Sequence, residues 1–144
     1  MIVIKSEFHL KEKLSTFDKI SFYENFEAAL RKLLEFQKLY DGPEIHHAGV
    51  IQAFEFTFEQ CWKAIQKKTG TEGLSLASPK KSLEWAMASG WISATHENTW
   101  LEMMRDRNLT SHTYRDQTAI EVATRVLDSY VDEFILILEK MKKN

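Results

Sequence analysis

GVIQAFEFTFEQCWKAIQKKTG, residues 49–70, sets Ile51, Phe54, Phe58, Cys61 and Ile65 at steps of three, four, three and four. That rhythm returns apolar side chains to one face of a 3.6-residue helix, whereas a half-buried strand needs strict alternation. Gly70 is the residue type that closes such a helix. A stripe at this spacing is a core face, so its aromatic residues are assigned to packing. Phe56 falls off the stripe, which points to a wider buried face or to a subunit contact. Glu55 and Glu59 share another face, either as support for a site or as an ordinary solvated surface.

The neighbouring stretches repeat the pattern. Upstream, FYENFEAALRKLLEFQKLY carries Phe22, Phe26, Leu30, Leu33 and Tyr40 at helical spacing, and the DGP at 41–43 stops it. Downstream, Ser78 and Pro79 suit the cap and first position of a short helix that Gly90 terminates. ENTWLEMMRDRN, residues 97–108, predicts a fourth helix with Trp100, Leu101 and Met104 on one side. Thr118 and Glu121 form a capping-box pattern, followed by Ile120, Ala123, Leu127, Tyr130, Phe134, Ile137 and Met141 in three-four alternation. The expected architecture is all-α: an antiparallel up-and-down bundle of four long helices plus a short one, with residues 1–144 as a single domain.

Composition narrows the function classes. With 144 residues, 44% hydrophobic and 28% charged, the chain has the makeup of a folded protein. Its formal charge of -2 provides no broad positive field for DNA or an anionic membrane, so any polyanion site must be a local cluster. The lone Cys61 rules out an internal disulfide, no Cys/His spacing suggests zinc, and no cofactor motif is present. The apolar run before Lys5 is too short for a signal-peptide core, and no run reaches membrane-spanning length, so a soluble cytoplasmic protein is expected.

The chemistry concentrates in RDRNLTSHTYRDQT, residues 105–118, between the last two helical stretches. Arg107 and His112 are five residues apart, which in one straight helix leaves them roughly 140° off a common face. Asn108, Thr110, Ser111 and Thr113 favour caps and turns, and an extended backbone after Thr110 would bring His112 and Tyr114 to one side beside Arg107. A guanidinium holds a phosphodiester through two parallel hydrogen bonds, and a histidine near neutrality exchanges protons with a ribose hydroxyl or a departing oxygen. Together they suit metal-independent RNA cleavage, with a two-fold dimer supplying the second histidine. An Arg-to-His gap of four to six residues arises by chance roughly 0.5 times in such a chain, so spacing does not separate an active site from a polar helix cap. Arg105 satisfies the same loose spacing as Arg107.

Arg107, His112 and Tyr114 match the R-x-x-x-x-H-x-Y pattern of HEPN domains, and Asn108 follows the arginine as in many members. VIQAFEFTFEQCWKAIQ, SPKKSLEWAMASGWI and TWLEMMRDRNLTSHTY resemble three hallmark blocks of the nucleotidyltransferase substrate-binding family, within the same superfamily. The resemblance implies a helical bundle that dimerises and pairs with a minimal nucleotidyltransferase (MNT). In the toxin-antitoxin branch it implies an RNase toxin, with Arg107 and His112 in cleavage, Arg105 and Asn108 in support, and Tyr114 as the hydroxyl that the partner silences by adding AMP. The alternative it leaves is a non-catalytic substrate-binding subunit of a two-component nucleotidyltransferase.

Overall fold

The computed structural model describes residues 22–39, 47–110 and 116–143, and within them the backbone is helical and contains no strand. Helix α1 spans Glu24–Leu39, α2 His47–Gly70 and α3 Pro79–Ala88; a 3-10 turn at Ala94–His96 leads into α4, Glu97–Thr110. Then α5 (Asp116–Arg125), a π turn (Val126–Tyr130) and α6 (Val131–Lys143) run on without a gap as one long rod. The expected helical bundle is the observed architecture. α2 is its axle, packing on α1, α3, α4 and α5, while α6 lies against α1.

The stripe of residues 49–70 explains this central place. Ile51, Phe54, Phe58, Cys61 and Ile65 are all buried. Phe134 meets three helices at once: its ring centroid lies 5.9 Å from Phe26 of α1, 6.3 Å from Phe54 of α2 and 5.8 Å from Trp100 of α4, edge-on to the first and last. Such offset and edge-to-face contacts favour aromatic rings beyond their burial alone. Gly49 allows α1 and α2 to close at their ends, because a Cβ there would fall 2.9 Å from Cε1 of Phe36.

The short helix is capped as its sequence predicts. Ser78 Oγ accepts the Lys81 amide at 3.2 Å, and Gly90 takes φ +79° beyond its end, which a side chain would resist. Three expectations shift. On α4 the inward residues are Trp100, Met103, Asp106 and Thr110; Leu101 faces outward and Met104 is only partly buried. A buried aspartate takes the place that apolar counting gave to leucine. The last rod begins at Asp116, so Thr118 lies inside its first turn rather than at the cap. Val126 is fully buried where Leu127 was expected, because the π turn adds a residue to the helical circuit. Tyr40 and the DGP stop lie outside the described residues.

Phe56 is 54% exposed, so it does not belong to a wider buried face within this chain. No described helix is long and apolar enough to cross a membrane. Two measurements check this core. Phe134→Ala should lower unfolding free energy by about 3–5 kcal/mol in urea titration, whereas Phe56→Ala should move it by about 0.5 kcal/mol or less. Burial pushes the Cys61 thiol well above its ordinary range. Iodoacetamide at pH 8 should therefore leave Cys61 unlabelled in the native protein and label it in denaturing urea.

Candidate active-site cleft

Arg107 sits one turn from the end of α4, in a cleft of about 220 Å³ that three helices wall. α2 supplies Phe58 and Glu59, the start of α3 supplies Ser78, Pro79 and Lys80, and α4 supplies Met104, Arg107 and Asn108. The Arg107 side chain is half-buried, and its Nε is buried without a hydrogen-bond partner among the described residues. An unpaired buried N–H is costly, and a ligand oxygen in the cleft would remove that cost. Arg105, two residues earlier and about 200° round the helix, is exposed and lines no part of the cleft. Of the two arginines that spacing left equal, Arg107 lines the cleft and Arg105 does not.

Glu59 is the counter-charge. Partial burial opposes its ionisation, but the Trp62 indole N–H at 2.9 Å, the Lys63 ammonium at 3.3 Å and the nearby Arg107 charge outweigh that and hold its carboxyl below the ordinary range. Glu59 is therefore anionic at neutral pH and moderates Arg107 rather than cancelling it. α4 stays helical through Asn108 to Thr110, whose hydroxyl donates to the Arg107 carbonyl at 3.1 Å. The polar residues therefore do not interrupt the helix before Thr110. His112 and Tyr114 lie outside the described residues, so of the expected site the structure brings Arg107 and Asn108 together and leaves Arg105 apart.

Asp106, the residue before Arg107, carries a feature that the sequence did not reveal. Its buried carboxylate accepts two parallel bonds from Arg125, Nε at 2.8 Å and Nη2 at 2.7 Å, and a third from the Tyr130 hydroxyl at 2.5 Å. Arg125 and Tyr130 are five residues apart and in an ordinary α-helix would diverge by about 140°. The π turn between them, closed by the Val131 amide on the Val126 carbonyl, widens the circuit so that both reach one carboxylate. The Asp106 hydrogen bond raises the Arg125 pKa, and burial, reinforced by Asp106, raises that of Tyr130. The guanidinium and phenol thus stay protonated beside the Asp106 carboxylate. The one advance signal was an aspartate at an inward step of Trp100, Met103 and Thr110.

The described residues thus form a helical bundle with an arginine-lined cleft at the end of its fourth helix. Residues 18–143 match the family described as "Nucleotidyltransferase substrate binding protein like", and the chain belongs to that family. It is 29% identical over 101 residues to the protein named "Probable ribonuclease HepT" from Haemophilus influenzae (strain ATCC 51907 / DSM 11121 / KW20 / Rd), with 67% of each chain covered. A crystal structure from Thermus thermophilus is similar at 35% identity with a TM-score of 0.72, covering 81% of this chain and 98% of that one.

The Asp106 clamp makes a graded prediction. Tyr130→Phe, which removes one bond and keeps the ring, should cost about 1–2 kcal/mol in urea unfolding. Arg125→Ala, which leaves the buried carboxylate without its counter-charge, should cost more, on the order of 3 kcal/mol. Equal costs, or none for Arg125→Ala, would mean that the clamp does not hold α4 to the last rod.

Proposed function

We propose that the chain is a metal-independent endoribonuclease that works as a two-fold homodimer and is the toxin of a pair with an MNT protein. The observation that carries this reading is the buried, unpartnered Nε of Arg107 in a solvent-facing cleft. Nε and one Nη of a guanidinium form a fork that fits two phosphate oxygens. Lys80 lines the same cleft, so Arg107 and Lys80 outnumber Glu59 there and the local field is positive although the whole chain carries -2.

In the proposed reaction, His112 of one protomer takes the proton of a ribose 2′-hydroxyl, and the 2′-oxygen bonds to phosphorus. The bond from phosphorus to the 5′-oxygen breaks, and His112 of the second protomer gives that oxygen a proton. The products are a 2′,3′-cyclic phosphate and a 5′-hydroxyl, and solvent restores both histidines. Arg107 stabilises the added charge on phosphorus, with Asn108 beside it and Arg105 available to neighbouring phosphates. Silencing follows if the partner transfers AMP to the Tyr114 hydroxyl, because the new phosphodiester anion would occupy the Arg107 fork. The name of the Haemophilus influenzae relative supports the nuclease half of this reading.

The family description favours a second reading, in which the chain is a non-catalytic subunit that presents substrate to a nucleotidyltransferase. One experiment separates the two. Purified chain free of any partner should cleave RNA to 2′,3′-cyclic ends, and Arg107→Lys and His112→Ala should each reduce the rate at least about a hundredfold while melting normally. Tyr114→Phe should cleave at the wild-type rate and stay active beside the MNT partner. An unmodified wild-type chain that binds its partner yet cleaves no RNA would establish the subunit reading instead.

A further inference from the structure

Near the start of α4, Trp100 marks a second cavity, two turns or about 10 Å along the helix axis from Arg107. It encloses about 290 Å³ between the 3-10 turn and the last turns of α6. Its floor is apolar, from Trp91, Ile92 and Ile137, and His96, Glu139 and Lys143 stand on its rim. The volume suits one ligand of mononucleotide size.

The wall of this cavity is built around a buried carboxylate. Glu133 accepts the Trp100 indole N–H on Oε2 at 3.0 Å and the His96 Nδ1–H on Oε1. Glu133 is 7% exposed, so desolvating it is costly, and both of its oxygens are committed. The His96 side chain is 40% exposed and makes no further hydrogen bond among the described residues. A histidine held through Nδ1 by a carboxylate has a fixed ring orientation, the arrangement that metal and catalytic sites use to aim the free Nε2 of an imidazole. In this cavity no third acid, histidine or cysteine joins it in a metal-holding group among the described residues, so the imidazole faces an organic ligand rather than an ion.

We propose that this cavity binds a small aromatic anion: a planar apolar body with one phosphate or carboxylate head. The body lies on the Trp91 and Ile137 floor, and the head meets His96 and the Lys143 ammonium. Glu139 accepts from hydroxyl or amine groups on the ligand. Glu133 and His96 cancel each other's charge when the imidazole is protonated, and Lys140 and Lys143 outnumber Glu139 in the lining, which gives the rim its preference for an anion. The proposal is independent of RNA cleavage, because none of these residues lines the Arg107 cleft.

The test follows the His96 imidazole by NMR in the full chain, its signal among five histidines identified by its loss in His96→Gln. The titrants are AMP, indole-3-acetate, adenosine and inorganic phosphate. AMP or indole-3-acetate should shift the His96 signal saturably, and the stronger of the two shows whether phosphate or carboxylate is the preferred head. Adenosine and phosphate should bind roughly tenfold more weakly or not at all, since each lacks half of the ligand. Lys143→Ala, an exposed change that leaves folding intact, should weaken the better anion by roughly tenfold. No saturable shift with either anion up to about 10 mM would overturn the proposal. So would adenosine or phosphate binding as tightly as the anion, or a Lys143→Ala protein that binds as wild type.

Discussion

The Asp106 carboxylate is out of water, and desolvation of that kind costs several kcal/mol unless donors replace the lost hydration. Arg125 and Tyr130 are those donors, and both belong to the last rod, so the pairing ties α4 to that rod at one defined point. Arg107 follows at the next helical step, about 100° round, and its direction is therefore fixed by the residue before it. The clamp is also continuous with the core. The Tyr130 ring lies 5.5 Å from Phe54, so one side chain closes the polar network with its hydroxyl and the aromatic cluster with its face.

Where burial followed apolar periodicity, the sequence was a sufficient guide. The α2 stripe, the Ser78 cap and the Gly90 stop needed only helix geometry and local hydrogen bonding. α4 was harder, because its inward face depends on a partner on another helix; Asp106 reads as a surface residue until Arg125 stands opposite. The π turn was equally hidden, since the alternation from Ile120 to Met141 runs through it without a visible fault. Tertiary proximity alone brings Ser78, Pro79 and Lys80 to the cleft, and no spacing within their own segment foretold it. Arg107 and Asn108 were legible as a motif, yet separating Arg107 from Arg105 required the helix to be placed.

Charge in this protein is arranged locally. A net charge of -2 would turn away polyanions from the molecule at large, yet the cleft collects Arg107 and Lys80. Glu59 keeps that collection from being purely cationic, and it is itself restrained by Trp62 and Lys63. An anion entering the cleft therefore exchanges one partner for another on Arg107 instead of meeting a bare charge. That exchange favours oxygen atoms placed for the guanidinium fork over diffuse negative charge.

The π turn also takes up a difference in chain length. Residues 116–125 and 131–143 each turn a buried face to the bundle, and the wide turn between them keeps those faces in phase with both α2 and α1. Forcing the same five residues into ordinary α geometry would rotate everything beyond the turn by about 100° and carry Phe134 away from its three neighbours, whereas removing one residue at the same time would bring that face back into phase. In this segment a single deletion with a return to α geometry is a shorter rod that faces the same way, so the wide turn is where the chain takes up one extra residue without turning the aromatic core aside.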